Sequence, residues 1–238
     1  MLYLIGLGLN IDGISKFGLE VAKRCKRIYL ETYTVDFPYA KEELQELINK
    51  KIIPADREKV ENLGLVDEAK KMDVALLIYG SPLFATTHIA LIQEAKVSGI
   101  RYKVIYNASV FDAIAETGLQ LYKFGKIASM PGWKTNYEPT SFIKTIKDNQ
   151  KINAHSLILV DIGLEFKDAL NQLKIVTKNF NLKLNKIIVC SRLGTKHSGI
   201  FYDNLDNLNN LKVQKPYCII IPSKLHFIEK EILEGLEK

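Results

Sequence analysis

The fold of this chain is decided by the stretch Val74-Ala75-Leu76-Leu77-Ile78-Tyr79-Gly80-Ser81-Pro82-Leu83-Phe84-Ala85-Thr86-Thr87-His88. Its apolar run, Val74 to Ile78, predicts a buried β-strand, and a helical pattern begins at Thr87. A turn of small residues, Gly80-Ser81-Pro82, lies between them. Open α/β sheets bind ligands at the carboxyl ends of their strands, so this turn is predicted to face a ligand.

On both sides of this stretch, strand-like runs alternate with amphipathic helical patterns, which predicts an α/β protein with largely parallel strands. The predicted strands are Leu2 to Leu7, Arg27 to Glu31, Val74 to Tyr79, Tyr102 to Tyr106, Ser156 to Asp161, Lys186 to Cys190 and Tyr217 to Ile221. The predicted helices are Ser15 to Lys23, with Ser15 as its cap, Lys41 to Asn49, Val66 to Lys71, Thr87 to Val97, Ser141 to Lys147, Lys167 to Phe180 and His226 to Leu236.

The segment Gly125 to Pro139 has no clear period and predicts a strand followed by a loop. The regular pattern resumes after it. We therefore expect two α/β lobes, residues 1–109 and 110–238, joined between about Ser109 and Pro139.

Composition excludes several classes of protein. The chain has 238 residues, and its 47% hydrophobic and 25% charged residues are typical of an ordinary globular protein. Its apolar runs are much shorter than the roughly 20 residues of a membrane span, and the amino terminus lacks a signal pattern, so we expect a cytoplasmic protein. The three cysteines and four histidines are scattered, which indicates neither a disulfide framework nor a metal site.

The net charge of +6 favours an acidic partner. The lysines, however, are spread over the polar faces of the predicted helices. A solvated surface is therefore the preferred interpretation, and direct nucleic-acid binding is not predicted.

The first candidate motif is Gly6-Leu7-Gly8-Leu9-Asn10, directly after the first strand. It matches a dinucleotide fingerprint poorly, because Ile11 stands at the third glycine position and the helix begins only near Ser15. The two glycines either permit a ligand to approach the backbone or serve a purely structural turn. Signatures of a covalent nucleophile and of a P-loop are absent from the sequence.

Several long strings of the sequence resemble the diphthine synthase family, and together they span essentially the whole chain. They are Gly6 to Leu9, Ala55 to Asn62, Gly80 to His88, Asn107 to Val110, Thr117 to Gly125, Pro139 to Ser141, Leu159 to Ile162 and Lys224 to Glu229.

The resemblance implies a methyltransferase of the tetrapyrrole methylase fold, with two α/β lobes and S-adenosylmethionine in the cleft between them. Members of this family methylate the amino group of a modified histidine of translation elongation factor 2, on the route to diphthamide. The resemblance also implies a homodimer. A same-fold enzyme acting on a tetrapyrrole, and a non-catalytic binding protein that retains the fold, are the alternatives.

Carried over residue by residue, the resemblance places the cofactor contacts at Leu9, Ser81, Phe84, Ser109, Val110, Ile162, Ser198 and His226. Without the resemblance, Leu9, Val110 and Ile162 are more typical of core packing, and His226 of the start of a surface helix. The resemblance supplies no catalytic base.

One departure from the family pattern stands out. The family usually has Gly-Asp-Pro where this chain has Gly80-Ser81-Pro82, and a small apolar residue where it has Phe84. Ser81 retains a hydroxyl but no charge, so cofactor binding is expected to weaken by roughly 1 to 2 kcal/mol unless another contact compensates. Phe84 either compensates by apolar contact or narrows the pocket, and the sequence leaves both alternatives open.

Overall fold

A computed structural model of the protein describes residues 1–236. The chain divides into two compact units, Met1–Val110 and a second unit that begins at Phe111. The predicted boundary falls after Ser109, and the last two residues of the predicted second lobe, 237 and 238, lie outside the described residues.

The first unit is built on a parallel sheet. Its strands are β1 (Leu2–Gly6), β2 (Arg27–Glu31), β3 (Ile53–Ala55), β4 (Val74–Ile78) and β5 (Tyr102–Ile105), in the order β3-β2-β4-β1-β5. Each pair of neighbours in this sheet is parallel. Its helices are α1 (Lys16–Arg24), α2 (Lys41–Ile48), α3 (Arg57–Glu61), α4 (Gly64–Ala69) and α5 (Ile89–Val97). Ser15 caps α1 as predicted, because its hydroxyl accepts the N–H of Gly18.

Alternating side chains of the strands feed two separate cores. On one face, Ala75 and Leu77 of β4 pack with α1 and α2. On the other face, Leu76 and Ile78 pack with α4 and α5. The neighbouring strands β1 and β4 are thus followed by helices on opposite faces, which is the topological switch point where doubly wound sheets bind ligands.

The second unit has a mixed sheet. Its strands are β6 (Ala128–Met130), β7 (Ser156–Val160), β8 (Ile187–Ser191), β9 (Gly199–Asp203) and β10 (Tyr217–Ile221), in the order β6-β7-β10-β8-β9. The accompanying helices are α6 (Val110–Ala113), at the boundary between the units, α7 (Ser141–Lys151), α8 (Phe166–Asn179), α9 (Leu205–Leu208) and α10 (Phe227–Glu234). The core of this unit lies between its sheet and helices, where Phe142 of α7 and Leu170 of α8 are almost fully buried.

The expectation of largely parallel strands is wrong for this second sheet. The pair β6–β7 is parallel, but β7–β10, β10–β8 and β8–β9 are antiparallel. The physical reason is β9, which the sequence pattern missed. The apolar run of β9, Ile200-Phe201-Tyr202, has only three residues, and β9 pairs antiparallel with β8, which reverses the direction of the chain.

The short strand β3 was also missed, because it has only three residues and contains Pro54. Within residues 1–236, every helix is too short or too polar to cross a membrane.

Candidate functional site

Two loops at the carboxyl edge of the first sheet are joined by backbone hydrogen bonds. The N–H of Leu7 donates to the carbonyl of Ile78 at 2.9 Å, which extends the β1–β4 pairing past the strand ends. Gly8 and Gly80 then exchange two hydrogen bonds, of 2.9 and 3.3 Å. Both glycines have a positive φ, 72° and 69°, which an L-residue adopts only with strain. The Gly80-Ser81-Pro82 turn is therefore hydrogen-bonded to the loop that follows β1.

The glycines serve this close packing of the chain against itself. A Cβ atom on Gly6 would lie 2.7 Å from the carbonyl oxygen of Gly80 and 2.9 Å from Cδ of Pro82. A Cβ on Gly8 would lie 3.1 Å from Oδ1 of Asn107. Of the two roles left open by the sequence, the structural turn is the one that these distances support.

Asn107 follows β5 after one intervening residue, and its side chain joins the loop after β5 to the loop after β1. Its Nδ2 donates to the carbonyls of Gly6, at 3.0 Å, and of Gly13, at 2.8 Å. Its Oδ1 accepts the N–H of Ala108 at 2.9 Å. One amide therefore links the ends of β1 and β5 to the short helical turn Ile11–Gly13.

His88 contacts the Ser81–Pro82 turn through the backbone carbonyl of Pro82. Its side chain is buried, and Nδ1 lies 3.1 Å from the carbonyl oxygen of Pro82. Because a carbonyl only accepts, Nδ1 carries the proton, and Nε2 faces the hydroxyl of Tyr33 at 3.4 Å. Burial raises the pKa of Tyr33, so this hydroxyl keeps its proton near pH 7. Both ring nitrogens are engaged, which fits a positioning role and not that of a general base.

The five predicted contacts of the first unit follow the three adjacent strand ends of β1, β4 and β5. Leu9 is buried, and its carbonyl accepts the hydroxyl of Tyr79 at 3.0 Å. Ser81 and Phe84 are half-buried in the turn after β4. Ser109 is buried and Val110 is half-buried, both after β5. The structure brings the segments that carry these residues to one edge of one sheet.

The three predicted contacts of the second unit are distributed differently. Ile162 follows the carboxyl end of β7 and is 38% exposed, so it is not a core residue. Ser198, exposed, lies in the β8–β9 loop at the same edge of this sheet. His226 is the exposed N-cap of α10, and it follows β10 at the opposite edge, because β10 runs antiparallel to β7. The second sheet thus brings Ile162 and Ser198 to one side and His226 to the other.

A buried polar cluster fixes the start of α10. Glu229, fully buried, accepts the N–H groups of His226 at 2.7 Å and of Gln120 at 3.0 Å, and it also pairs with Lys123. His155 Nδ1 accepts the N–H of Ser223, so its Nε2 carries the proton that is donated to Glu229 at 3.2 Å.

The electrostatics of this cluster follow from its contacts. Burial raises the pKa of the Glu229 carboxyl, but hydrogen bonds from Lys123, from the two N–H groups and from His155 outweigh burial and lower that pKa to about 2. Burial lowers the pKa of His155, which is therefore neutral. Glu229 thereby positions His226 at the first turn of the helix.

Sequence reasoning missed the supporting roles of His88, Asn107 and Glu229. Each was visible as part of a string that resembles the family, but the sequence does not show which backbone groups a side chain meets. The signal that could have identified them is the type of side chain, since a polar side chain such as Asn beside a strand end commonly forms hydrogen bonds with backbone groups.

Comparisons with known proteins agree with this architecture. The family model of the tetrapyrrole (corrin/porphyrin) methylases matches residues 1–209. The diphthine synthase of Methanococcus maripaludis (strain S2/LL) is 37% identical over 251 aligned positions, which cover 99% of this chain and 98% of that protein. The diphthine methyl ester synthase of Bos taurus is 45% identical over 177 residues. That match covers 73% of this chain and 62% of the bovine protein, so the chain spans about three-fifths of this relative's length.

Solved structures show the same fold. A crystal structure described as a candidate diphthine synthase of Entamoeba histolytica superposes with a TM-score of 0.89 at 32% identity, covering 100% of this chain and 98% of that one. A further crystal structure of a diphthine synthase gives a TM-score of 0.89 at 30% identity, with 99% and 95% of the two chains covered. The chain therefore belongs to the tetrapyrrole methylase family and, within that family, to the diphthine synthases.

Proposed function

We propose that this protein is an S-adenosylmethionine-dependent methyltransferase that modifies translation elongation factor 2 in the biosynthesis of diphthamide. The observation that carries the proposal is the similarity to the Methanococcus maripaludis diphthine synthase, which extends over 99% of this chain. A homodimer and a cytoplasmic location are further proposals. The homodimer rests on the family resemblance, and the cytoplasmic location rests on the short apolar runs of the sequence.

The carboxyl edge of the first sheet has groups that suit this cofactor. The hydroxyl of Ser81 is half-buried and is engaged by no hydrogen bond among residues 1–236, so it is available to a ligand. Leu9 and Val110 are apolar residues in the segments that follow β1 and β5, in the strand order β4-β1-β5. We propose that Leu9, Ser81, Phe84, Ser109 and Val110 contact the cofactor. Ile162, Ser198 and His226 are proposed contacts that rest on the resemblance alone.

The chemistry requires little of the protein beyond positioning. S-adenosylmethionine carries its methyl group on a sulfonium sulfur. The acceptor attacks this methyl group in line with the carbon–sulfur bond, and the neutral thioether is the leaving group. The residues of this edge bind and orient the reactants and exclude water. The attacking amine must be unprotonated, and water or a weak base can take its proton. We do not propose His88 as that base, because both of its ring nitrogens contact groups of the protein.

We propose the amino group of the modified histidine as the acceptor. A carboxylate acceptor is the second candidate, because the bovine and human relatives are named diphthine methyl ester synthases. A tetrapyrrole acceptor is not favoured, because the relatives that match the whole chain are named diphthine synthases. A binding protein without activity is not favoured for the same reason.

Mass spectrometry of elongation factor 2 tests both acceptors. The factor carrying the precursor modification is incubated with the protein and S-adenosylmethionine, and methyl additions at the modified histidine are expected. Mild alkali then separates the two acceptors, since it hydrolyses a methyl ester and leaves N-methyl groups in place. Absence of any methyl addition, with the cofactor bound, would contradict the proposed reaction.

Calorimetric titration with S-adenosylmethionine tests the cofactor site. We expect Ser81→Ala to weaken binding by about 3- to 10-fold, because one hydrogen bond is lost. Ser81→Asp, which restores the residue usual in the family, is expected to bind at least as tightly as the wild type. Ser98→Ala is the matched control, because the Ser98 hydroxyl bonds Glu94 at the end of α5. A wild-type protein that does not bind the cofactor would overturn the proposal.

A further inference from the structure

The buried hydroxyl of Tyr39 has no hydrogen-bond partner among the residues that the structure describes. Tyr39 lies in the segment between β2 and α2, beyond the carboxyl end of β2. An unpaired buried hydroxyl loses the hydrogen bonds that water would give it, and such groups in native proteins are few. A partner from outside the protein chain would account for it.

Ring contacts place Tyr39 beside the candidate site. Phe37 packs edge-to-face against Tyr39, with ring centroids 5.5 Å apart, and against Tyr79, with centroids 5.4 Å apart. Tyr79 directly precedes the Gly80–Pro82 turn, and its hydroxyl donates to the carbonyl of Leu9. Tyr39 therefore belongs to an aromatic group that supports Leu9, whose segment is proposed to contact the cofactor.

The protonation state of Tyr39 makes its hydroxyl a donor. Burial, and after it the neighbouring Tyr79 and Glu43, raise the pKa of this hydroxyl above its ordinary value of 10.0. The phenol is therefore neutral near pH 7. It can donate to a carboxylate, a ribose oxygen or a ring nitrogen, all of which S-adenosylmethionine carries.

We propose that Tyr39 is a cofactor-binding residue, whose hydroxyl donates a hydrogen bond to S-adenosylmethionine. This inference rests on the proposed function. In the ligand-free protein the unpaired hydroxyl lowers the free energy of unfolding, and in the complex it gains a hydrogen-bond acceptor. The residue thus trades stability of the free protein for affinity, as is common in binding sites.

The substitution Tyr39→Phe tests this in two independent readouts. Cofactor affinity, measured by calorimetric titration, is expected to fall about 5- to 20-fold, because one buried hydrogen bond to the ligand is lost. The unfolding midpoint of the ligand-free variant is expected to stay the same or rise by up to about 4 °C, because an unpaired buried hydroxyl is removed.

Two variants serve as controls. Tyr79→Phe removes a hydroxyl that has a partner, the carbonyl of Leu9, and is expected to lower the unfolding midpoint of the free protein. Tyr122→Phe alters a ring that is 81% exposed and is expected to leave both readouts unchanged.

The outcomes separate this inference from the proposed function. A wild type that fails to bind the cofactor overturns the proposed function and the inference together. A wild type that binds, with Tyr39→Phe binding equally well, overturns only the inference. A lowered unfolding midpoint for ligand-free Tyr39→Phe overturns it too, because a hydroxyl that stabilises the free protein already has its partner, such as an internal water.

Discussion

The substitution Asn107→Asp is the sharpest test of how the candidate site is held together. The two side chains have nearly the same shape, but an ionised Asp has acceptors only. It cannot donate to the carbonyls of Gly6 and Gly13, which the Nδ2 of Asn107 meets at 3.0 and 2.8 Å. It places a carboxylate against two carbonyl oxygens instead.

The expected magnitude follows from these two contacts. Two neutral hydrogen bonds at about 1 kcal/mol each account for about 2 kcal/mol, and repulsion between the carboxylate and the carbonyls brings the loss to about 3 to 4 kcal/mol. This is a large fraction of the 5 to 15 kcal/mol that is typical of domain stability. The measurement is urea unfolding followed by far-ultraviolet circular dichroism.

The loss is expected to depend on pH. In the folded variant the two carbonyls disfavour the charged carboxylate, so its pKa rises above the unfolded value of about 3.9. The folded state then binds the proton more readily, and the deficit shrinks as pH falls from about 7 towards about 4. Protonated Asp regains one donor.

The matched control is Asn149→Asp in the second unit. Asn149 also donates to two oxygens, the carbonyl of Lys126 at 2.8 Å and the hydroxyl of Ser156 at 3.0 Å. Both variants lose stability, but Asn107→Asp is expected to weaken cofactor binding at least tenfold, whereas Asn149→Asp weakens it much less. An Asn107→Asp protein within about 1 kcal/mol of the wild type near pH 7 would contradict this prediction, because the two donated bonds would then contribute almost nothing.

Three further predictions concern other contacts. Gly6→Ala is expected to lose at least about 2 kcal/mol of stability by thermal unfolding, because the new Cβ would meet the carbonyl of Gly80 at 2.7 Å; a wild-type midpoint would contradict this. Glu229, with its pKa lowered to about 2, contributes stability that is present above pH 4.5 and lost as pH falls towards 2, so Glu229→Gln should flatten acid unfolding over that window. An equally steep acid transition in the variant would count against the role of Glu229. His88→Asn keeps a donor near the carbonyl of Pro82 and should retain more cofactor affinity in calorimetry than His88→Ala, which leaves that carbonyl only the 3.4 Å contact from the Thr86 hydroxyl; equal affinities would show that the bond from His88 does not matter.

The sequence predicts the central strands of the first unit well, because β1 and β4 are almost wholly apolar and almost wholly buried. The strand β4, Val74–Ile78, is buried at all five positions, which is the pattern of a central parallel strand. The edge strand β9 has an apolar run of only three residues, Ile200 to Tyr202, and each of its five residues is only half-buried. A strand that has one neighbour and little burial leaves no periodic signal, so the hairpin of the second unit, and with it the antiparallel direction, was not visible in the pattern.

The supporting contacts of the candidate site were hidden for a different reason. Asn107 meets the carbonyls of residues that lie 101 and 94 positions earlier in the chain. Contacts of this separation depend on the strand order β4-β1-β5, which places the ends of β1 and β5 side by side. A single sequence shows which residues stand near strand ends, but it does not show which of those ends are neighbours.

The glycines at the switch point change the interpretation of the site. The sequence allowed them to be either a ligand cradle or a structural turn, and the space beside Gly6 and Gly8 is filled by the chain's own atoms. The absence of Cβ atoms at Gly6 and Gly8 therefore does not open space for a cofactor against the backbone. We therefore expect the proposed cofactor to be recognised mainly by side chains that the packed loops hold in place. Since Ser81 and Tyr39 both present hydroxyls that no described residue engages, affinity should respond to these two side chains more than to changes in the glycine-lined turn that leave the fold intact.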